Sequence, residues 1–223
     1  MPRTPRIAPG GMIFHVLNRG NGHAQIFSHD GDYDAFERIM EEVRGYTPMR
    51  IISYSLMPTH WHFVLWPEED DEMAAFMHRL TVTHVRRWHA HHGSGGRGHL
   101  YQGGYKSFPV QSDGHLLTVC RYVERNPLRA GLAARAEEWP WGSLSHRCRN
   151  DERARKLLCE WPVERNEDYL EWVNQPQTQE EQDALRKCIF RGCPFGEKNW
   201  QEVTAQRLGL ESAFRTRGRP RKM

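Results

Sequence analysis

The period of apolar and polar positions changes several times along the chain, and each change marks an element. Residues 12–18 are mostly apolar and lie between Gly10-Gly11 and the turn Gly20-Asn21-Gly22, the pattern of a strand. From 30 to 46, Tyr33, Phe36, Ile39, Met40 and Val43 recur at spacings of three and four. Asp30 and Asp32 load the first turn of this predicted helix, and Gly45 with Pro48 ends it. Residues 50–56, rich in Ile, Ser and Tyr, form a second strand. Met57-Pro58-Thr59 turns the chain into a third, 60–66, closed by Pro67. So short a link makes these two an antiparallel pair.

A second helix spans 72–92, with Met73, Phe76, Met77, Leu80 and Trp88 on its apolar side. The loop Gly93-Ser-Gly-Gly-Arg-Gly98 follows. Residues 101–110 read as extended and 113–126 as a third helix, with Pro127 marking its end. The order strand, helix, strand, strand, helix, strand, helix predicts an α+β fold. It is the ferredoxin-like split βαβ arrangement, one antiparallel sheet with helices on one face. Near residue 150 strand formers give way to Glu, Gln and Arg. Two short helices, 180–191 and 197–208, complete a small helical C-terminal extension. They fit a DNA-binding helix-turn-helix or a plain αα-hairpin that binds nothing. The expected organisation is a core domain over 1–149, the helical extension over 150–214, and a basic tail over 215–223.

Composition narrows the class. With 223 residues, 38% hydrophobic and 26% charged, the chain is long enough for a real core and too apolar for a disordered one. No apolar run reaches membrane-span length, and the first residues lack the apolar core of a signal peptide. Five cysteines without a C-x-x-C pair argue against a disulfide framework. The expected address is the cytoplasm, in association with the nucleoid, with no membrane partner. A net charge of +3 hides strong segregation: residues 30–72 hold eleven acids against three bases, and 73–136 hold nine Lys/Arg against two acids. The last nine residues carry five positive charges and no negative one. Positive clusters of this kind suit a phosphate backbone, whose counterions they release.

His60 and His62, two apart in a strand, point to one face of the sheet, and Trp61 points to the other. Two neutral imidazoles on an open sheet face can chelate a divalent metal, although an isolated H-x-H is a weak signal. In the third helix, at ~100° per residue, Leu116, Val119, Cys120 and Val123 form one stripe. Tyr122 and Asn126, four apart, flank it, with Arg121, Arg125 and Arg129 around them. An amphipathic rim explains such a tyrosine equally well.

Three segments together resemble the signatures of REP-associated tyrosine transposases, within the HUH single-tyrosine superfamily. They are His15-Val-Leu-Asn-Arg-Gly-Asn21, Leu56-Met-Pro-Thr-His-Trp-His-Phe-Val64 and Cys120-Arg-Tyr-Val-Glu-Arg-Asn-Pro-Leu-Arg-Ala-Gly-Leu132. The likeness covers roughly residues 5–145, and Thr59 stands where the family more often has Asn. The resemblance implies cleavage and strand transfer of single-stranded DNA at hairpin-forming repeats, by way of a 5′-phosphotyrosine. Tyr122 is then the nucleophile, and His60, His62 and Asn126 hold Mg²⁺ or Mn²⁺. The competing classes are a non-catalytic DNA-binding regulator on the same scaffold and an RNA-binding module. The second lacks the aromatic sheet-face motif expected there. A monomer and a homodimer both remain open.

Around this site Arg19 and Asn21 match the family's opening motif and serve either DNA contact or the turn itself. Lys106 beside Tyr105 and Phe108 can hold a phosphate while a base stacks. In the tail, Arg217 precedes and Arg219 lies within the core Gly218-Arg-Pro220, which resembles that of a minor-groove hook. His89, His91 and His92 run into the glycine-rich loop and read as solvated histidines rather than a second metal site.

Overall fold

The computed structural model describes residues 7–95 and 98–215. Its centre is a four-stranded antiparallel sheet of β1 (Ile13–Arg19), β2 (Arg50–Met57), β3 (His60–Trp66) and β4 (Lys106–Val110) in the order β2-β3-β1-β4. Helix α1 (Asp30–Tyr46) joins β1 to β2, and α2 (Glu72–His91) joins β3 to β4. The split βαβ arrangement is therefore present as expected. Helix α3 (Gly114–Arg129) follows β4, then α4 (Ser143–Arg149), α5 (Glu152–Leu157), α6 (Tyr169–Asn174), α7 (Gln179–Arg191) and α8 (Lys198–Leu208).

The helices do not all lie on one face, which corrects that part of the expectation. Phe14, Val16, Tyr54, Leu56, Trp61, Phe63 and Leu65 meet Phe36, Met40, Phe76 and Leu80 of α1 and α2. On the other face, Ile13, Ile52, Val64, Phe108 and Val110 meet Leu116, Val119, Cys120 and Val123 of α3. The reason is that the strands carry apolar side chains on both faces, and β2 is buried along nearly its whole length. A single helical layer would leave Ile52 and Val64 wet. Burying each Leu, Ile or Val is worth roughly 1.5–3 kcal/mol, which favours the second layer.

Two element ends also differ from the sequence reading. The fourth strand is only Lys106–Val110, because Gly103 and Gly104 leave the ladder after a lone bridge between Gly20 and Tyr101. Helix α3 continues through Pro127 to Arg129. Proline there forfeits one backbone bond near the helix end, while Asn126 and Pro127 are both buried, and that packing overrides the local bias. Gly131, at φ +70°, then takes the left-handed conformation that closes the helix.

The composition shift near 150 is not a break in the core. Leu157 packs with α1 and α2, while Leu185, Cys188 and Phe195 pack with β4 and α3. Phe195 also bridges Val110, so the link between α7 and α8 is drawn onto the sheet edge.

Candidate active site

The second face of the sheet carries the candidate site. His60 and His62 alternate with the inward-packed Trp61, and their ring centroids are 5.0 Å apart. This face is not open as the sequence suggested: α3 lies over it and leaves His62 only 3% exposed. Helix α3 sets Tyr122 edge-on to His62 at 5.8 Å between centroids.

Burial and the cationic neighbours Arg19 and Arg129 hold His60 down to about 4. Burial, then His60, His15 and the same arginines, push His62 well below the ordinary histidine value. Both rings are therefore neutral and keep a lone pair, as a metal ligand must. His15, from β1, is fully buried with its Nε2 2.9 Å from His62 Nδ1. Desolvation depresses it to about 3, so one of two neutral rings donates in this pair. If His62 Nδ1–H is the donor, His62 Nε2 is left with its lone pair for a metal. The histidine pair thus fits a divalent cation.

Asn126 is fully buried four residues beyond Tyr122. Its Oδ1 accepts from the Arg129 guanidinium, and its Nδ2 is buried without a partner. Ligation through Asn126 calls for the second lone pair of that oxygen or a turned-over amide. Arg129 also lies 5.3 Å from the Tyr122 ring centroid, so one exposed guanidinium joins the tyrosine to the amide.

Beside Tyr122 opens a cleft of about 630 Å³ whose walls include Arg19, Lys106, Arg129 and Arg186. Four cations around a tyrosine make it suited to a polyanionic strand. Phe190 of α7, 61% exposed, stands at its rim with the Lys106 ammonium 5.7 Å from its ring. It replaces Phe108 as the stacking candidate, because Phe108 is buried in the core. Sequence reading missed Arg186 and Phe190. Their only signal was an arginine and an aromatic four apart on an amphipathic helix distant in sequence.

Other expected residues fall elsewhere. Arg121 is 3% exposed and donates to the backbone oxygens of Trp172, Gln175 and Pro176. It ties α3 to the α6–α7 connection, which corrects its expected role at the DNA surface. Arg125 is half-buried and donates to the Gln175 oxygen. Asn21 is exposed in a 3-10 turn, its N–H bonded to the Leu100 oxygen. Arg217 and Arg219 lie outside the described residues. Glu124, also missed, accepts from Ser53, Ser143 and Tyr169 on the side of α3 that faces the core, and thereby sets the helix's roll.

A tyrosine on a helix beside a strand histidine pair makes up the candidate site, and comparison with known proteins supplies the chain's family. Residues 10–126, just over half of the chain, match the family model for IS200-like transposases, and the chain belongs to that family. The transposase resemblance read from the three segments is borne out. The fold is similar to that of a REP-associated tyrosine transposase solved bound to a REP hairpin, at 16% identity and a TM-score of 0.54, covering 80% of this chain and 100% of that one. A transposase-assigned protein of Deinococcus radiodurans aligns at 17% identity over 55% of this chain and 96% of its own, with a TM-score of 0.37. No curated protein matches the chain. Among the described residues no helix is long and apolar enough to cross a membrane.

Proposed function

We propose that this transposase-family chain cleaves and rejoins single-stranded DNA at hairpin-forming repeats, with Tyr122 as nucleophile. The observation that carries the reading is Tyr122 at the wall of a basic cleft, edge-on to His62, itself beside His60 in a neutral histidine pair. The Tyr122 oxygen attacks phosphorus while the 3′-oxygen leaves and takes up a proton, so a phosphodiester is exchanged for a 5′-phosphotyrosine. Bond energy is retained in that exchange, and a returning 3′-hydroxyl can reverse it. His60, His62 and Asn126 would hold a divalent ion, Mg²⁺ or Mn²⁺, which would supply charge neutralisation at the scissile phosphate. Arg129 positions Tyr122 and Asn126 and offsets developing negative charge. Arg19, Lys106 and Arg186 hold the strand by its phosphates, and Phe190 offers a face to a base.

Hairpin specificity of the repetitive extragenic palindrome kind follows the neighbouring structure that holds such a hairpin. The test is incubation with end-labelled hairpin DNA and Mn²⁺, followed by denaturing electrophoresis. A covalent adduct formed by the wild type and absent from Tyr122→Phe supports the reading. Equal adduct in both removes Tyr122 as the nucleophile, and none in either with binding intact returns the chain to the regulator class.

A further inference from the structure

The histidines at the end of α2 are not simply solvated. His91 and its C-cap neighbour His92 lie against the start of α1, where His29 precedes the helix and Asp32 sits in its first turn. His29, Asp32 and His91 each offer a ligand atom within 4.8 Å of the others. Asp32 Oδ1 is 3.6 Å from His29 Nε2 and 3.5 Å from His92 Nε2. The three ring centroids are 5.1–6.2 Å apart. Tetrahedral bonds of ~2.0–2.1 Å place ligand atoms about 3.4 Å apart, so the two carboxylate–imidazole spacings already match, while His91, and His92 relative to the other two rings, must draw closer on binding.

The tautomer of His92 supplies an independent argument. Its Nδ1 is 2.9 Å from the backbone oxygen of Trp88, which can only accept, so Nδ1 carries the proton. In the neutral ring Nε2 then presents a lone pair toward the Asp32 carboxylate, and this nitrogen is buried with no hydrogen-bond partner. Two lone pairs facing each other repel unless a proton or a metal cation stands between them. A ring N–H given to a backbone carbonyl is the arrangement that orients a ligating histidine. Stacking on Trp88, at 4.1 Å and 17°, fixes the ring further. Trp88 in turn donates to the Ile26 oxygen, just ahead of His29. Asp32, 6% exposed, is held by the Ser28 N–H on its other oxygen.

We propose that His29, Asp32, His91 and His92 form a second divalent-metal site, of the closed structural kind that takes Zn²⁺. Three imidazoles and one carboxylate suit Zn²⁺, and a hard cation such as Mg²⁺ prefers more oxygen. The site lies on the α1–α2 side of the sheet, whereas His60 and His62 face α3. It clips the start of α1 to the end of α2, from which the chain runs on to Gln102 and Gly103 in the cleft wall. The α2 C-terminus favours a cation there, and Asp32 offsets the opposing α1 N-terminus.

The test is metal stoichiometry of the full chain, stripped with chelator and dialysed against limiting Zn²⁺, with Co²⁺ as a spectroscopic substitute. His29→Ala with His91→Ala alters two exposed residues and should lose one Zn²⁺ equivalent, the intense visible bands of tetrahedral Co²⁺, and any rise of Tm with Zn²⁺. Adduct formation with hairpin DNA at saturating Mn²⁺ should persist. If the double variant fails to fold, loss of the Co²⁺ bands in His91→Ala alone decides. Unchanged stoichiometry and spectrum in these variants overturn the proposal. So does a wild type that binds no Zn²⁺, which would make His92 and Asp32 a simple imidazolium–carboxylate pair.

Discussion

His15 Nε2 stands 2.9 Å from His62 Nδ1, so a buried histidine of β1 decides which nitrogen of the candidate ligand carries a proton. Only when His62 donates to His15 does His62 Nε2 keep its lone pair. Replacing His15 by Phe keeps a ring packed beside Phe108, 4.7 Å away in the native pair, but removes the acceptor. Metal affinity is expected to fall roughly 10–100-fold, with adduct formation rescued by excess Mn²⁺. A metal titration of adduct yield checks this, and an unshifted titration removes His15 from the site.

Arg129 is exposed, so its loss should not unfold the protein. Arg129→Ala removes the cation over Tyr122 and the donor to Asn126. Single-turnover cleavage is expected to slow by about 10²–10³, the usual effect of deleting one transition-state donor. Hairpin affinity should change far less. A variant as fast as wild type would show the guanidinium to be a bystander.

Arg121 and Lys106 should behave in opposite ways. Arg121→Ala leaves the Trp172 and Pro176 oxygens without their donor, each worth roughly 1–3 kcal/mol when buried, and takes one of two donors from the Gln175 oxygen, so thermal stability should drop sharply. The salt dependence of DNA binding should be unchanged. Lys106→Ala should leave Tm alone and flatten the slope of log K against log salt by about 0.7 for a single-strand contact. Melting curves and salt titrations of both variants test the pair.

Stability should have an optimum near neutrality. His15 and His84 sit near 3 and His60 near 4 because burial penalises their charged forms, against 6.5 in the unfolded chain. Below 6.5 the unfolded state binds more protons, so each of these histidines withdraws about 1.4 kcal/mol per pH unit as pH falls toward its depressed value. His146 runs the other way. Burial opposes its charge, but Glu37 and Asp151 win and raise it above 6.5. Its contribution is fully present below 6.5 and is lost as pH rises through the raised value. Denaturant midpoints measured from pH 4 to 9 should describe a dome. A flat profile across the acid limb would contradict the buried neutral histidines.

The sheet and its flanking helices were legible because their signals are local. The alternation around Trp61 and the spacing of Phe36, Ile39 and Met40 each fit in one window, and the chemistry sits in short motifs. What escaped depends on distant segments meeting. The burial of His62 comes from α3, which covers a face that looked open. Arg121 reads as a surface cation until the α6–α7 connection places three carbonyls around it. Phe190 and Arg186 reach the cleft from α7, far along the chain. His29 and His91 are separated by two strands and two helices in sequence, and only their packing makes them neighbours.

The central claim is that Tyr122 becomes bonded to the 5′-phosphate of a cleaved strand. Mass spectrometry of a trypsin-digested adduct tests it most directly, since cleavage after Arg121 and Arg125 isolates residues 122–125, which contain one tyrosine. The account predicts the DNA mass on that peptide through a 5′-phosphate, with a free 3′-hydroxyl on the released fragment. An adduct on Tyr101 or Tyr105, or a 3′-phosphate linkage, would contradict it.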